Sequence, residues 1–336
     1  EHIKTLAQNG FWELCQVDDR FSTYSTSIFS RKLARDEKFF NRGTETAEVL
    51  SKLEEDVAGF LQLLTPHVLS KSALKCMEYL LHNFKIHEVP MLVNATLETL
   101  LPYHESEIFS RFVQVANLPV SWAFLAVGAE LEGSRVERKL IIRNMHKDVV
   151  LLRQLGAASL RCAQLHPAFQ RYPTFYAACL VDLVDSTDHV TDSVRNALLT
   201  MIMSGIVKNG GCVSYAMACL LGWGRLGHRC QIPFAQTLVL VEAAWKHWPL
   251  AHWSSLLLSL AAILQDQPVL VLSAPTWNQC IAPHLEVLVP TLTALAGEKH
   301  LVALLQSLLK SAVPHVYGGG PTEHAAWRGL YRLWDE

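Results

Sequence analysis

Residues 151–165 read LLRQLGAASLRCAQL, and the spacing of apolar residues in this stretch decides the fold. The apolar positions recur every three or four residues, at Leu151, Leu155, Ala158, Cys162 and Leu165. This spacing lines one face of an α-helix, whereas a β-strand would alternate at every second residue. The stretch therefore predicts an amphipathic helix with one buried face.

The same spacing recurs along the chain, whereas alternation with a period of two is almost absent. Four further stripes follow it: Leu74, Met77, Leu80 and Leu81; Val93, Leu97, Leu100 and Leu101; Ile108, Phe112 and Val115; and Leu301, Leu304, Leu305, Leu308 and Leu309. Each stripe predicts a helix with one buried face. The chain is therefore predicted to be all-α.

Many prolines lie at or beside the start of a periodic segment, where a missing N–H costs little because first-turn donors are unpaired anyway. They are Pro66, Pro90, Pro102, Pro119, Pro167, Pro233, Pro249, Pro268, Pro290 and Pro321. These positions predict helices of roughly 12 to 20 residues joined by short turns. Without a strict sequence repeat, this organisation favours a HEAT-like α-solenoid of stacked antiparallel helix pairs over tetratricopeptide or ankyrin arrays.

Two stretches interrupt the helical pattern. Residues 128–134 (GAELEGS) predict an irregular loop, and residues 316–321 (VYGGGP) predict a flexible linker. We therefore expect a HEAT-like solenoid over residues 1–315, followed by a glycine linker and a terminal amphipathic helix over residues 316–336. Because the chain begins at Glu1 without a Met, we expect it to be a fragment of a longer protein.

The composition excludes a disordered chain and gives no overall argument for nucleic-acid binding. Of the 336 residues, 50% are hydrophobic and only 18% are charged, which is far from the composition of a disordered chain. The formal net charge is −2, so the chain as a whole lacks the cationic excess of a nucleic-acid-binding protein. Any basic surface is therefore expected to be local.

The cysteines and the two longest charge-free spans both indicate buried helices. The eight cysteines form no C-x-x-C pair, and we interpret them as small buried residues in a reducing compartment. Two charge-free spans, residues 247–265 and 267–285, are long enough to cross a bilayer but contain prolines. We expect both to be buried helices, with no membrane association.

Gly222, Gly224 and Gly227 spell G-x-G-x-x-G, the fingerprint of a dinucleotide-binding turn. That fingerprint needs a preceding β-strand, whereas residues 214–221 have a helical pattern. The sequence therefore favours a glycine-rich turn over a nucleotide site.

Other catalytic and metal-binding patterns are missing from the sequence. There is no H-E-x-x-H, no second pair at zinc-finger spacing to accompany His247 and His252, and no G-x-S-x-G. Asp182, Asp185, Asp188 and Asp192 are interpreted as a solvated face. We expect no catalytic residue, no metal, no cofactor and no small-molecule substrate, and therefore no enzyme.

One region is strongly basic. Residues 135–171 contain eight Lys and Arg against two acidic residues, a local balance of +6. Such a band can bind phosphates or an acidic partner, and it can equally be an ordinary solvated helix surface. The candidate RNA-binding residues within it are Arg135, Arg138, Lys139, Arg143 and Lys147.

Two neighbouring segments combine rare residue types at fixed offsets. Residues 75–87 read KCMEYLLHNFKIH, residues 101–105 read LPYHE, and Ile108, Phe109 and Arg111 follow. Together they closely resemble the amino-terminal domain of the family called U3 small nucleolar RNA-associated protein 10 or HEAT repeat-containing protein 1. The resemblance is strongest over residues 54–115, with a weaker echo at residues 140–152.

The resemblance implies a role in ribosome biogenesis. It implies a large nucleolar α-solenoid, a scaffold of the small-subunit processome that acts in pre-18S rRNA processing. It further implies an early subcomplex that contains WD-repeat propeller proteins, assembles on the 5′ external transcribed spacer of the precursor RNA and is linked to rRNA transcription. A direct contact with that RNA and a contact through protein neighbours both remain open.

Most of the motif can be explained by packing and capping, because Leu74, Met77, Leu80 and Leu81 form a stripe and Pro102 suits a helix start. The polar members near the helix ends fit that explanation less well, and solenoids bind partners along such edges. The candidate partner-binding residues are therefore His82, His87, Tyr103, His104 and Glu105. The alternative function is a transport or adaptor solenoid that binds peptides.

Overall fold

The computed structural model describes residues 2–29, 43, 45–131, 135–186, 189–208, 211–297, 301–315, 324 and 327–332. These residues form helices, turns and connecting segments, with no β-strand among them. Internal contacts divide the chain into two compact units, Glu1–Tyr172 and Pro173–Glu336. The division into residues 1–315 and 316–336 stays a prediction, since most of the predicted linker and terminal helix lies outside the described residues.

The first unit contains eight α-helices among its described residues. They are α1 (His2–Val17), α2 (Ala47–Leu64), α3 (Lys71–Tyr79), α4 (Pro90–Leu100), α5 (Glu107–Val115), α6 (Phe124–Leu131), α7 (Arg138–Lys147) and α8 (Val149–Leu165). Of the predicted loop at residues 128–134, residues 128–131 are helical and belong to α6, while residues 132–134 lie outside the described residues.

The second unit continues from α9, whose first two residues belong to the first unit. Its helices are α9 (Arg171–Asp185), α10 (Asp192–Lys208), α11 (Val213–Arg229), α12 (Phe234–His247), α13 (Trp253–Leu264), α14 (Ala274–Thr276), α15 (Leu285–Leu295) and α16 (Leu301–Ala312). Within the described part of the chain, no helix is both long enough and apolar enough to cross a membrane.

Helices contact mainly their near neighbours in the sequence. In the first unit α1 packs on α3, α2 packs on α4, and α7 packs on α8. In the second unit α10 packs on α11 and α12, α11 packs on α13, and α13 packs on α15 and α16. Except for α13 with α16, these contacts run to the next helix or the next but one, which is typical of stacked helix pairs. The fold class is the predicted all-α, HEAT-like α-solenoid.

The predicted apolar stripes account for much of the core. Leu151, Leu155, Ala158 and Cys162 are buried, as are all four members of the stripe on α4 and its following turn. Two positions depart from the prediction, because Leu74 and Val115 are exposed. Helix α3 instead faces α1 with Ala73, Cys76 and Met77, and the thiol of Cys76 lies 3.6 Å from the carbonyl oxygen of Ala7.

Helix starts follow local capping chemistry. Side-chain oxygens of Ser70 and Ser106 accept hydrogen bonds from the backbone N–H groups of Ala73 and Phe109, at the starts of α3 and α5. These bonds satisfy donors that a helix leaves unpaired in its first turn. Pro90 is the first residue of α4, as predicted.

Four prolines contradict the predicted boundaries. Pro66 lies in the 3₁₀ turn Thr65–His67 that follows α2, and Pro268 lies in the segment between α13 and α14. Pro102 lies in the 3₁₀ turn Leu101–Tyr103 that follows α4, and it does not begin α5 because Ser106 caps that helix. Pro290 lies inside α15. A proline there cannot bond to the carbonyl four residues earlier, that of Glu286, and both residues are exposed, so water can satisfy this carbonyl.

The glycine motif is not a turn, contrary to the prediction. Gly222, Gly224 and Gly227 all lie within helix α11. A methyl carbon at Gly222 would lie 2.7 Å from Cδ1 of Leu180 on α9, so this glycine permits close packing of the two helices. The strand that a dinucleotide fingerprint requires is absent here, since α11 itself precedes the motif.

Close helix packing also predicts an unusual effect of substituting Gly205 in α10. A methyl group there would overlap the sulfur of Cys219 on α11. We expect Gly205→Ala to lower the free energy of unfolding by about 1–3 kcal/mol, although alanine normally stabilises a helix interior by about 1 kcal/mol relative to glycine. Urea unfolding monitored by circular dichroism measures this change.

Gly224→Ala is the matched control, because a methyl group at that position would meet Ile263 at an ordinary 3.7 Å. It should leave stability unchanged or raise it, and adding Cys219→Ala to Gly205→Ala should restore part of the loss. Equal stability of Gly205→Ala and Gly224→Ala would contradict the packing described here.

Candidate nucleic-acid and partner interface

Helix α7 carries most of the predicted RNA-binding residues and is amphipathic. Its Ile141, Ile142 and Met145 are buried in the core. Lys139, Arg143 and Lys147 recur every fourth residue and are all exposed. Residues four apart lie on the same side of a helix, so these three cations form one row. We call Lys139, Arg143 and Lys147 the cationic row.

The other basic residues of the 135–171 band differ in their surroundings. Arg135 is exposed in the segment before α7, Arg138 is half-buried at the helix start, and Arg153 is exposed on α8. Arg161 instead forms an ion pair with Glu98, with 2.5 Å between Nη2 and Oε2. Arg171 is exposed, but its Nε is engaged by a backbone carbonyl, so not all of the local charge is available for a partner.

Tyr103 of the LPYH turn is a buried packing residue and is only 3% exposed. Its hydroxyl donates a hydrogen bond to the carbonyl oxygen of Thr65 at 2.7 Å. The guanidinium carbon of Arg171 lies 4.3 Å from the ring centroid, and its Nε donates to the carbonyl oxygen of Pro102 at 3.0 Å. Burial raises the pKa of Tyr103 to about 12, so its phenol keeps its proton.

His104, the next residue, ties the turn to the segment before α7. It is 5% exposed, and its Nδ1 lies 2.7 Å from the carbonyl oxygen of Val136. In return, the backbone N–H of Val136 donates to the carbonyl oxygen of His104 at 3.4 Å. Because the acceptor is a carbonyl, Nδ1 carries the proton. The LPYH turn therefore positions the start of the helix that carries the cationic row.

The remaining partner-binding candidates are more accessible. His82 is exposed at the end of α3 in the helical turn Leu80–Phe84, and Glu105 is exposed between the LPYH turn and α5. His87 is half-buried, and its Nε2 lies 3.4 Å from Oε1 of Glu88. The partner role of all five candidates stays a prediction, and the contacts above give Tyr103 and His104 an internal structural role.

Sequence reasoning missed the most exposed apolar residue at this edge. Val120 is 95% exposed in the 3₁₀ turn Val120–Trp122. Two hydrogen bonds hold the segment around it: the N–H of Asn117 donates to the carbonyl of His87 at 2.7 Å, and the indole N–H of Trp122 donates to Oδ1 of Asn94 at 2.9 Å. A single valine in a turn belongs to no periodic pattern, so the sequence does not predict its exposure.

A small cleft in the first unit lies beside the Arg161–Glu98 pair and includes Gln62, Thr65 and Tyr172 in its lining. Burial raises the pKa of Glu98, while Arg161 opposes this change. The cleft encloses about 20 Å³, which is room for one water molecule and not for an organic ligand. Among the described residues, no three His, Cys, Asp or Glu side chains form a group suited to a metal ion.

Removal of the Tyr103 hydroxyl tests the role of the turn. We expect Tyr103→Phe to lower the free energy of unfolding by about 1–2 kcal/mol, because the buried carbonyl of Thr65 loses its donor. Tyr331→Phe is the control, because Tyr331 is exposed. Thermal or urea unfolding of both variants measures the difference, and an equal stability of the two would contradict the proposed role.

Buried histidines predict a loss of stability in mild acid. Burial lowers the pKa of His67, His104 and His166 below the ordinary 6.5, so the unfolded chain binds protons first as the pH falls. This contribution to stability is complete above about pH 6.5 and is lost as the pH falls from there through the lowered pKa values. We expect the melting temperature to decrease over this window.

The variant His104→Asn, which keeps a donor but does not titrate, should reduce the acid-induced decrease in melting temperature. His82→Gln, at an exposed position, is the control. An identical pH dependence of the parent chain and His104→Asn would contradict the prediction.

Comparison with known proteins places these features in context. The chain is 26% identical over 332 residues to HEAT repeat-containing protein 1 of Danio rerio, which covers 93% of this chain and 14% of the zebrafish protein. It is 29% identical over 213 residues to the human protein of the same name, which covers 59% of this chain and 9% of that protein. The chain therefore spans about a seventh or less of these relatives. No protein-family model matches it.

A fungal relative has the other name implied by the motif. U3 small nucleolar RNA-associated protein 10 of Pyricularia oryzae is 35% identical over 126 residues, which is 37% of this chain and 7% of the fungal protein. Both names match the family that residues 75–111 resemble. The resemblance of this chain to the HEAT repeat-containing protein 1 and U3 small nucleolar RNA-associated protein 10 family is therefore confirmed.

Proposed function

We propose that this chain is a scaffold segment of the small-subunit processome, acting in pre-18S rRNA processing in the nucleolus and linked to rRNA transcription. The similarity over 93% of the chain to a HEAT repeat-containing protein 1 is the observation that carries this proposal. The fungal relative's name associates that protein with U3 small nucleolar RNA. In this proposal the chain acts by presenting surfaces to its neighbours.

The RNA-facing surface in this proposal is the band of Arg135, Arg138, Lys139, Arg143 and Lys147. The exposure of Lys139, Arg143 and Lys147 on one side of α7 supports it, because cations that face water together raise the local concentration of phosphates. The proposed RNA is the 5′ external transcribed spacer of the ribosomal precursor.

The protein-facing surface is the edge formed by His82, His87, Glu105 and the turn that contains Val120. We assign it to WD-repeat propeller subunits of the early processome subcomplex. The rigid presentation of Val120 supports this assignment, since an exposed side chain held by two hydrogen bonds at its turn loses little conformational freedom on binding.

Catalysis forms no part of this function. Burial raises the pKa of the Cys76 and Cys219 thiols well above the ordinary range. A thiol that keeps its proton is a poor nucleophile, so these residues act as small core side chains. We propose no catalytic residue, no cofactor, no membrane association and no small-molecule substrate for this chain.

Affinity purification of the tagged chain from nuclear extract tests the proposed function. We expect co-purification of precursor RNA that contains the 5′ external transcribed spacer, together with WD-repeat proteins. Recovery of extended-peptide cargo without precursor RNA would contradict the proposal and favour the adaptor alternative.

Val120→Asp tests the protein-facing edge within the same assay. A charge on this exposed turn should lower the recovery of WD-repeat proteins about fivefold or more, while the melting temperature stays unchanged because Val120 is 95% exposed. Val302→Asp is the control, because Val302 is also exposed but lies on α16 in the second unit. Unchanged recovery with Val120→Asp would remove this edge from the proposal.

A further inference from the structure

The cationic row has a regular spacing that a polymer of charges can match. Four residues of α-helix rise about 6 Å, so Lys139, Arg143 and Lys147 span roughly 12 Å in two equal steps. A nucleic-acid strand carries one negative charge per nucleotide, and a flexible single strand can adapt the spacing of its phosphates to such a row. Three cations in one row can therefore face three consecutive phosphates.

The cationic row makes no ion pair with the residues that the structure describes, and several other exposed lysines make none either. Elsewhere arginines bind nearby carboxylates, as in Arg111–Glu107 and Arg225–Asp185. The two acids that flank α7 are Glu137 and Asp148. The carboxylate of Asp148 already accepts the N–H of Val150 and caps α8, while Glu137 is exposed before the first turn of α7. Among the described residues, neither of these two acids pairs with the cationic row.

The composition of the exposed side of α7 distinguishes RNA from a protein partner. Protein interfaces place apolar and aromatic side chains at their centre. Helix α7 has no Phe, Tyr or Trp, and its Ile141, Ile142 and Met145 are buried. Recognition of bases in a single strand requires stacking platforms, which this helix also lacks. The surface therefore fits a phosphate backbone and does not read bases.

We propose that the cationic row binds three consecutive phosphates of one RNA strand, without preference for base sequence. This inference rests on the proposed function and deepens it, because it names the strand type and the contact residues. The row turns by about 80° around the helix between Lys139 and Lys147. A flexible single strand can follow this turn, whereas a duplex presents the phosphates of two strands at fixed positions on a curved surface. His104 holds Val136, so the start of α7 is positioned before RNA binds.

The salt dependence of the binding constant measures the number of phosphate contacts. For a single strand, the logarithm of the binding constant falls with the logarithm of the salt concentration with a slope of about −0.7 per phosphate contact. Three contacts give a slope of about −2, so an increase from 50 to 200 mM salt should weaken binding about 20-fold. The whole chain is titrated with fluorescent 12-nucleotide oligo-U and oligo-A, and with a 12-base-pair RNA duplex.

Each of Lys139→Ala, Arg143→Ala and Lys147→Ala should make the slope less steep by about 0.7, and the triple variant should remove most of it. The control triple variant Lys52→Ala, Lys71→Ala and Lys246→Ala removes the same charge from exposed residues outside the row and should leave the slope unchanged. We expect oligo-U and oligo-A to bind equally, and both to bind more tightly than the duplex.

Several results would overturn this inference. They are an unchanged slope in the triple variant, an equal loss in the control variant, a strong preference for one base, tighter binding of the duplex, or tighter binding of polyglutamate than of the oligonucleotides at the same charge concentration. The last of these would indicate an acidic protein partner. If the parent chain co-purifies with precursor RNA yet binds no oligonucleotide, the inference fails while the proposed function stands.

Discussion

Burial of apolar helix faces against neighbouring helices is the constraint on which the rest of the structure depends. Each amphipathic helix leaves an apolar stripe that it cannot cover alone, and the next helix or the next but one covers it. Where the helices pack most closely, glycine replaces a side chain, as at Gly205 and Gly222. The polar residues then lie on the outward side of each helix and in the turns at the helix ends.

The LPYH turn connects this core to the candidate interface. Tyr103 joins the turn to the end of α2 through Thr65, and His104 joins it to the start of α7 through Val136. Tyr103 and His104, which make this motif distinctive, therefore stabilise the fold through internal hydrogen bonds. The exposed surfaces that they support, the cationic row and the turn around Val120, belong to segments outside the motif.

The sequence predicted the fold class because apolar spacing is a local property that a helix preserves, as the burial of Leu151, Leu155, Ala158 and Cys162 demonstrates. The prediction was wrong where contacts between helices determine which residues are buried. Leu74 has helical spacing but is exposed, because the α1-facing side of α3 begins one residue earlier at Ala73. The glycines of α11 resemble a loop motif, and only the position of Leu180 shows that Gly222 serves helix packing.

The candidate site was predictable in part for the same reason. Cations four residues apart on a helix identify their shared face from sequence alone, whereas the burial of Tyr103 and His104 depends on Thr65, Val136 and Arg171, which are distant in sequence. Ultraviolet crosslinking of the protein to RNA in native pre-ribosomal particles, with mass-spectrometric mapping of the crosslinked peptides, tests the central claim most directly. We expect crosslinks from precursor rRNA to the peptide that contains Lys139, Arg143 and Lys147. Crosslinks that fall only on other surfaces of this chain would contradict it.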